Sequence, residues 1–168
     1  MNVLETERLA LRWLEMDDAA FILRLVNDPA WLRFIDDKGI HTVEDARNYI
    51  ETGPVAMYRR LGFGLYLVEL KERSEPMGIC GLIKRDALEE VDVGFALLPG
   101  FWGKGYAYES ATAVMEYGRR TFELSRLLAI TSPDNEASIR LLEKLGFHFE
   151  RLTRLAPDAA EVKVFATA

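Results

Sequence analysis

The sequence has few of the residues that build covalent cross-links or metal sites. Cys80 is its only cysteine, so no disulfide can form within the chain, and a lone thiol is typical of a protein in a reducing compartment. Its two histidines, His41 and His148, lie far apart, and neither has a Cys, Asp or Glu at a metal-ligand spacing. We therefore expect a cytoplasmic protein with no disulfide and no bound metal.

Long apolar runs and an excess of positive charge are also missing. No run approaches the roughly 20 residues that span a bilayer, and the first seven residues are too polar and acidic for a signal peptide. The 27 acidic residues outnumber the 21 basic ones, which gives a net charge of −6 and argues against a general affinity for nucleic acid. We expect no membrane or nucleic-acid partner, and any anionic ligand must be held by local geometry.

The chain does contain a succession of strand and helix patterns, without repeats or linkers. Its 168 residues suit one core, so we expect residues 1–168 to form a single α/β domain. Apolar and alternating runs predict strands at 8–14, 63–70, 77–83, 91–98, 127–131, 147–152 and 162–166. Helical spacing predicts helices from Asp17 or Asp18 to about Asn27, from Thr42 onward, and over 55–61, 105–121 and 135–145.

The glycine turn, residues 99–105, separates the strand at 91–98 from the longest helix. Gly103 and Gly105 remove side chains where a backbone must approach something bulky. The first amides of the following helix have no partner inside it, and they point the same way as the helix dipole. The turn therefore predicts a site for a phosphate or pyrophosphate. A tight strand-to-helix turn without a ligand is the simpler alternative.

Three blocks of the sequence resemble the GNAT N-acetyltransferases. Residues 102–107, Trp-Gly-Lys-Gly-Tyr-Ala, are similar to the acetyl-CoA signature Q/R-x-x-G-x-G/A, although Trp102 replaces the Gln or Arg. Followed by Glu109, they are typical of the Rim-type branch, which acetylates the N-termini of ribosomal proteins. Residues 132–147 resemble the helix that borders the pantetheine, and residues 5–12 with 17–19 resemble the opening of the same branch. The blocks follow the family's order and cover most of the chain.

This resemblance implies a fold and an activity. The fold is a single-domain GNAT fold, with a mixed, mostly antiparallel sheet of six to seven strands, about four flanking helices and diverging central strands. The activity is transfer of an acetyl group from acetyl-CoA, as co-substrate, to a primary amine by direct attack on the thioester. The amine belongs to a small molecule or a protein N-terminus, and the enzyme is a monomer or homodimer. The alternative is a non-catalytic acetyl-CoA sensor or interaction module.

The resemblance also assigns cofactor contacts to single positions. The amides of residues 103–108 hold the pyrophosphate, with Lys104 adding positive charge, and the main chain of the preceding strand pairs with the pantetheine. The positions implied are Phe95, Ala96, Leu97, Trp102, Gly103, Lys104, Gly105, Tyr106, Ala107, Tyr108, Asn135 and Ser138.

The catalytic positions implied are Asp92, Ser138 and Leu97. Leu97 N–H is the donor to the oxyanion. Asp92 matches an acid that takes the amine's proton through water, and a solvated strand-edge carboxylate is its alternative. Ser138 matches a serine that faces the leaving thiolate, and a solvent-facing serine is its alternative. Asn135 either contacts the cofactor or caps a helix, and both roles are compatible.

One departure concerns the general acid. Many relatives place a tyrosine seven residues after the asparagine, where this chain has Leu142. Ser138, a water or no acid at all must then serve, which a thiolate leaving group tolerates.

Other phosphate motifs fit the glycine turn poorly. Tyr108 occupies the third glycine position of G-x-G-x-x-G, and Lys104 is not followed by the Ser or Thr of a P-loop. On the expected acceptor side, acidic residues would suit a cationic substrate or would simply be solvated at helix ends; they are Asp36, Asp37, Glu44 and Asp45.

Overall fold

A computed structural model describes residues 2–168, in which eight strands and six α-helices follow one another. The strands are β1 (Asn2–Glu5), β2 (Leu9–Arg12), β3 (Leu65–Leu70), β4 (Glu75–Ile83), β5 (Asp92–Leu97), β6 (Leu128–Thr131), β7 (His148–Arg154) and β8 (Glu161–Ala166). The helices are α1 (Ala19–Val26), α2 (Pro29–Phe34), α3 (Val43–Ile50), α4 (Ala56–Leu61), α5 (Tyr106–Phe122) and α6 (Glu136–Lys144). None of the helices in this part of the chain is both long and apolar enough to cross a membrane.

The strands form one mixed sheet in the order β1-β2-β3-β4-β5-β6-β8-β7. Neighbours pair antiparallel except β5 and β6, which are parallel. The seven predicted strands are all present, as β2 to β8. The single-domain α/β fold with a mostly antiparallel sheet is therefore confirmed. Residues 2–168 contain eight strands, where six to seven were expected, and six α-helices, where about four were expected.

The additional elements lie where sequence patterns are short. β1 is a four-residue strand, and it joins the sheet by pairing with β2, with Leu4 opposite Leu11. The first helix was expected to end at about Asn27, and the structure shows that the next two residues, Asp28-Pro29, begin α2. The Asp28 side chain accepts a hydrogen bond from Ala30 N–H (3.0 Å), and Pro29 occupies the first helical position, where its missing N–H costs nothing.

The central strands β5 and β6 meet at one point and then diverge. Asp92 lies opposite Leu128, and Leu128 N–H donates to Val91 C=O at 2.9 Å. Beyond this point β6 pairs only with β8, on its other side. The edge of β5 from about residue 93 onward is therefore open, as the predicted divergence requires.

The two faces of β5 have different surroundings. Helix α5 packs on the face that carries Cys80, Leu82 and Val93, and a Cβ on Gly118 would lie only 3.2 Å from Leu82 Cδ1. By the alternation of a strand, Asp92 and Gly94 lie on the opposite face. A Cβ on Gly94 would be 3.0 Å from Ile83 Cδ1, which confirms that Ile83 shares that face.

Candidate active site

A cleft of about 1110 Å³ follows the open edge of β5. Its turn half is lined by the glycine turn, the start of α5 and residues of α6. Its helical half is lined by residues from α1 to α4 together with the face of the sheet that carries Asp92. All the predicted site residues except Lys104 line this cleft.

The main chain of β5 offers hydrogen-bonding groups to the cleft at alternate residues. Leu98 N–H donates to Met77 C=O of β4 at 2.8 Å, and a Cβ on Gly78 of β4 would lie 2.1 Å from Ala96 C=O. Ala96 therefore directs its main-chain groups at β4, while Phe95 and Leu97 direct theirs at the open edge. Of the three predicted pantetheine positions, Phe95 and Leu97 can pair through the main chain, and Ala96 can offer only its side chain.

Trp102 lies against this open edge. Its indole Nε1 donates a hydrogen bond to Leu97 C=O at 2.9 Å, although half of the side chain is exposed. The indole thus satisfies one of the edge groups, and among residues 2–168 no group pairs with Leu97 N–H. This contact gives the tryptophan at the Gln or Arg position of the signature a specific structural role.

The glycine turn leaves a row of amides without partners. Gly103 and Gly105 have φ angles of +74° and +83°, a left-handed conformation that favours glycine. The first main-chain hydrogen bond of α5 runs from Glu109 N–H to Gly105 C=O, at 3.0 Å. Within residues 2–168, the six amides from residue 103 to 108 have no hydrogen-bond partner. This row at the positive end of a 17-residue helix suits an anion.

The Lys104 side chain does not face the cleft. Its Nζ donates to Gly100 C=O at 3.1 Å within the glycine turn, and the expected contribution of its charge to the bound ligand stays a prediction. Lys144 of α6 does line the cleft, with its Nζ 4.4 Å from the centre of the Tyr108 ring. Lys144 does not stand out in the sequence, because a lysine in the last turn of a helix is common on electrostatic grounds alone.

The start of α6 brings Asn135 and Ser138 to the cleft. Asn135 Oδ1 accepts a hydrogen bond from Ser138 N–H at 3.2 Å, so the helix-capping role is present. Both residues line the cleft, and in the described part of the chain the Ser138 hydroxyl makes no hydrogen bond, which leaves it free for a ligand. Leu142 is 1% exposed and belongs to the core, so nothing at the family's tyrosine position reaches the cleft.

Asp92 is a buried carboxyl group with one unused oxygen. It is 1% exposed; its Oδ2 accepts from Arg85 Nε at 3.2 Å, and its Oδ1 has no partner within residues 2–168. Burial raises the pKa of Asp92, and the nearby Arg85 charge only partly opposes this. The alternative of a solvated strand-edge carboxylate was therefore wrong. The neighbouring Glu90 pairs instead with Arg126, away from the cleft.

The helical half of the cleft is mainly apolar and aromatic. Trp31, Phe34, Tyr49 and Met57 line it, and burial raises the pKa of the Tyr49 hydroxyl. The Trp31 indole N–H is buried and has no partner in the part of the chain that the structure describes. This half can therefore accept an apolar group, with a few polar atoms that fix its orientation.

The acidic residues expected here mostly have other partners. Asp37 accepts from Gly39 N–H at 2.9 Å, Asp45 closes the cap of α3, and Glu44 pairs with an arginine of the same helix. Only Asp36 of the four lines the cleft, where Lys38 and Arg85 also lie. Asp37, Glu44 and Asp45 therefore match the alternative of solvated charges rather than a surface for a cationic substrate. No group of three or more His, Cys, Asp or Glu side chains among residues 2–168 is placed to hold a metal ion.

Comparison with known proteins points to one family. The model of the acetyltransferase (GNAT) domain matches residues 8–148. An uncharacterised N-acetyltransferase of Bacillus subtilis, YoaA, is 32% identical over 155 residues, which are 90% of this chain and 86% of the relative. The crystal structure of an acetyltransferase from Agrobacterium tumefaciens aligns with a TM-score of 0.80 and 28% identity, covering 98% of this chain and 93% of that one. RimL, named a ribosomal L7/L12 alpha-N-protein acetyltransferase and solved with coenzyme A, has a TM-score of 0.83 at 21% identity, with 99% and 97% covered.

Proposed function

This chain belongs to the GNAT acetyltransferase family and is an acyltransferase, and from this premise we propose that it moves the acetyl group of acetyl-CoA to a primary amine. The proposal rests on one observation: an open β5 edge leads to six amides, at residues 103–108, that have no partner in the described part of the chain. The amides bind the pyrophosphate, and the edge of β5 accepts the pantetheine as an added strand.

The residues around the β5 edge supply the chemistry of transfer. The amine nitrogen forms a bond to the acetyl carbon while the carbon–sulfur bond of the thioester breaks. Asp92 takes the proton of the amine through water, because burial has raised its pKa toward that of a useful base. An N–H on the open edge of β5 donates to the oxyanion, and Ser138 Oγ stabilises the departing thiolate.

The helical half of the cleft holds the acceptor. We place a protein N-terminal α-amine first among candidate acceptors, because RimL shares the fold and is named for such an amine. An N-terminus carries one amine and can present an apolar side chain to Trp31 and Phe34. A polyamine is the second candidate acceptor, because Asp28, Asp36 and Asp92 line the same half beside Lys38 and Arg85, and the spermidine N(1)-acetyltransferase of Escherichia coli is 28% identical over 86% of this chain.

A thiol-release assay tests the proposal. Acetyl-CoA is supplied with a panel of peptides of varied N-terminal residue, single amines and polyamines, and free thiol is measured together with the mass of the product. We expect release that depends on the acceptor, with acetyl added to the amine. Binding of CoA without release across the panel would support the sensor alternative, and the absence of CoA binding would overturn the donor assignment.

A further inference from the structure

Arg8, in the turn between β1 and β2, holds the glycine turn from outside the cleft. Its guanidinium donates to Lys104 C=O at 3.1 Å and lies over the Tyr106 ring, 4.4 Å from the ring centre. A Cβ on Gly105 would be 3.3 Å from Arg8 Nη2. Arg8 therefore contacts Lys104 and Tyr106 and lies beside Gly105 between them, in the segment whose amides have no partner among residues 2–168, yet it does not line the cleft.

Glu109, one turn into α5, fixes Arg8 in this position. Its Oε1 accepts from Arg8 Nε at 2.7 Å, and its Oε2 accepts from Arg8 N–H at 3.0 Å and from the Thr6 hydroxyl. Burial opposes the charged form of Glu109, but the hydrogen bonds from Thr6 and Arg8 outweigh it and lower the pKa of this carboxyl group. Glu109 thus remains ionised and connects the helix to the turn before β2.

The glycine turn needs contacts that hold it in one conformation. Two glycines in the left-handed region give the turn many alternative conformations, and amides that point at a ligand have no internal bonds to hold them. Arg8 binds the carbonyl side of Lys104 and packs on Tyr106, which leaves the amide side facing the cleft. Preorganised donors bind an anion more tightly than donors that must first be ordered.

We propose that Arg8 and Glu109 form a clamp that holds the glycine turn in its pyrophosphate-binding conformation. Arg8 is a positioning residue, which sets the affinity for the donor without touching it. This inference rests on the proposed function, because it requires that the amides of the turn bind the pyrophosphate of CoA.

Calorimetric titration with CoA tests the clamp in three variants, Arg8→Ala, Arg8→Lys and Glu109→Gln. Arg120→Ala is the matched control, because Arg120 pairs with Glu116 at 3.1 Å on the exposed surface of the same helix. We expect Arg8→Ala and Glu109→Gln to raise the Kd of CoA about tenfold, the loss expected when a hydrogen bond to a charged group is removed. Arg8→Lys keeps the charge next to Glu109 but not the planar fork, so its Kd should be intermediate.

A second ligand separates positioning from general loss of structure. Pantetheine lacks the pyrophosphate, and its affinity, measured by ligand-observed NMR, should stay within about twofold of the wild-type value in every variant. Wild-type affinity for CoA in Arg8→Ala, or an equal loss for CoA and pantetheine, would overturn the clamp while the proposed function stands. If the wild-type protein does not bind CoA, the donor assignment fails and the clamp fails with it.

Discussion

Replacement of Asp92 by Asn tests whether a buried carboxyl group acts as the base. The change keeps the shape of the side chain and removes its charge. Arg85 loses its ion-pair partner, but its side chain is 34% exposed and can be rehydrated, so no unpaired charge is left buried. The folded protein should therefore survive the substitution, and any large change in rate reports on the proton transfer.

The raised pKa of Asp92 also fixes how stability depends on pH. A carboxyl group whose pKa is higher in the folded state than in the unfolded state binds more protons when folded, so the wild-type protein loses stability as pH rises from about 3.9 to the raised value. The slope for one proton is at most about 1.4 kcal/mol per pH unit. Asp92→Asn has no such group. The free energy of unfolding of the variant should therefore rise relative to that of the wild-type protein through this pH window, and the difference between the two should be constant above it.

Urea unfolding at pH values from 4 to 8 measures this difference, and the pH profile of kcat/KM measures the base. We expect Asp92→Asn to lower kcat by a factor of about 10² to 10⁴, the usual contribution of a general base, and to abolish the acidic limb of the profile. Glu90→Gln is the control, because Glu90 is an acid from the same segment that pairs with Arg126 outside the cleft.

Two results would refute the reasoning about Asp92. One is a wild-type protein that gains stability over Asp92→Asn as pH rises, which would mean that the carboxylate is stabilised by the fold. The other is an acidic limb that persists in Asp92→Asn, which would place the base on another residue. Reduced activity in Glu90→Gln equal to that in Asp92→Asn would indicate a general effect of negative charge.

Gly103→Asp should lower the free energy of unfolding by about 1 kcal/mol and abolish CoA binding in calorimetry. Gly146→Asp is its control, because Gly146 has a φ of +95° and equally open surroundings; it should lose as much stability and bind CoA normally. Equal CoA binding by the two variants would contradict the anion site. Leu142→Tyr should destabilise the protein by about 1 to 3 kcal/mol in urea unfolding without raising kcat, because this position lies in the core; a rate gain would show that it reaches the thioester. Burial raises the pKa of the Cys80 thiol to about 12. A thiol reagent at pH 8 should therefore react with no thiol in the folded protein and with one thiol per chain in urea. Rapid labelling of the folded protein would contradict this.

The local parts of the site could be predicted from the sequence. The strand, the glycine turn and the start of α5 are contiguous, so turn chemistry and helix periodicity predict their conformation. The helix that begins after Asn135 follows from the same rules, because an asparagine caps it. By contrast, Asp28-Pro29 is ambiguous, since the same pair of residues can end one helix and begin the next.

Contacts between distant segments could not be predicted in this way. The burial of Asp92 depends on the pairing of β4 with β5, which places Arg85 beside it. The contact between Arg8 and Glu109 joins residues 101 positions apart. A single sequence identifies such residues but does not show how far apart they lie. The Asp92 carboxylate was therefore equally compatible with a solvated and a buried position.

The geometry of β5 also bears on which amide meets the oxyanion. The pyrophosphate end of the donor lies at the glycine turn, so the thioester must lie further back along the strand, toward Asp92. Leu97 is five residues from Asp92, about 16 Å along a strand, whereas Phe95 is three residues away, about 10 Å. Both direct an N–H at the open edge, but a water relay spans the shorter gap more readily, and Leu97 C=O is already bound to the Trp102 indole. We therefore infer that Leu97 N–H suits a contact with the part of the pantetheine nearer the pyrophosphate, and that Phe95 N–H is the stronger candidate for the oxyanion donor.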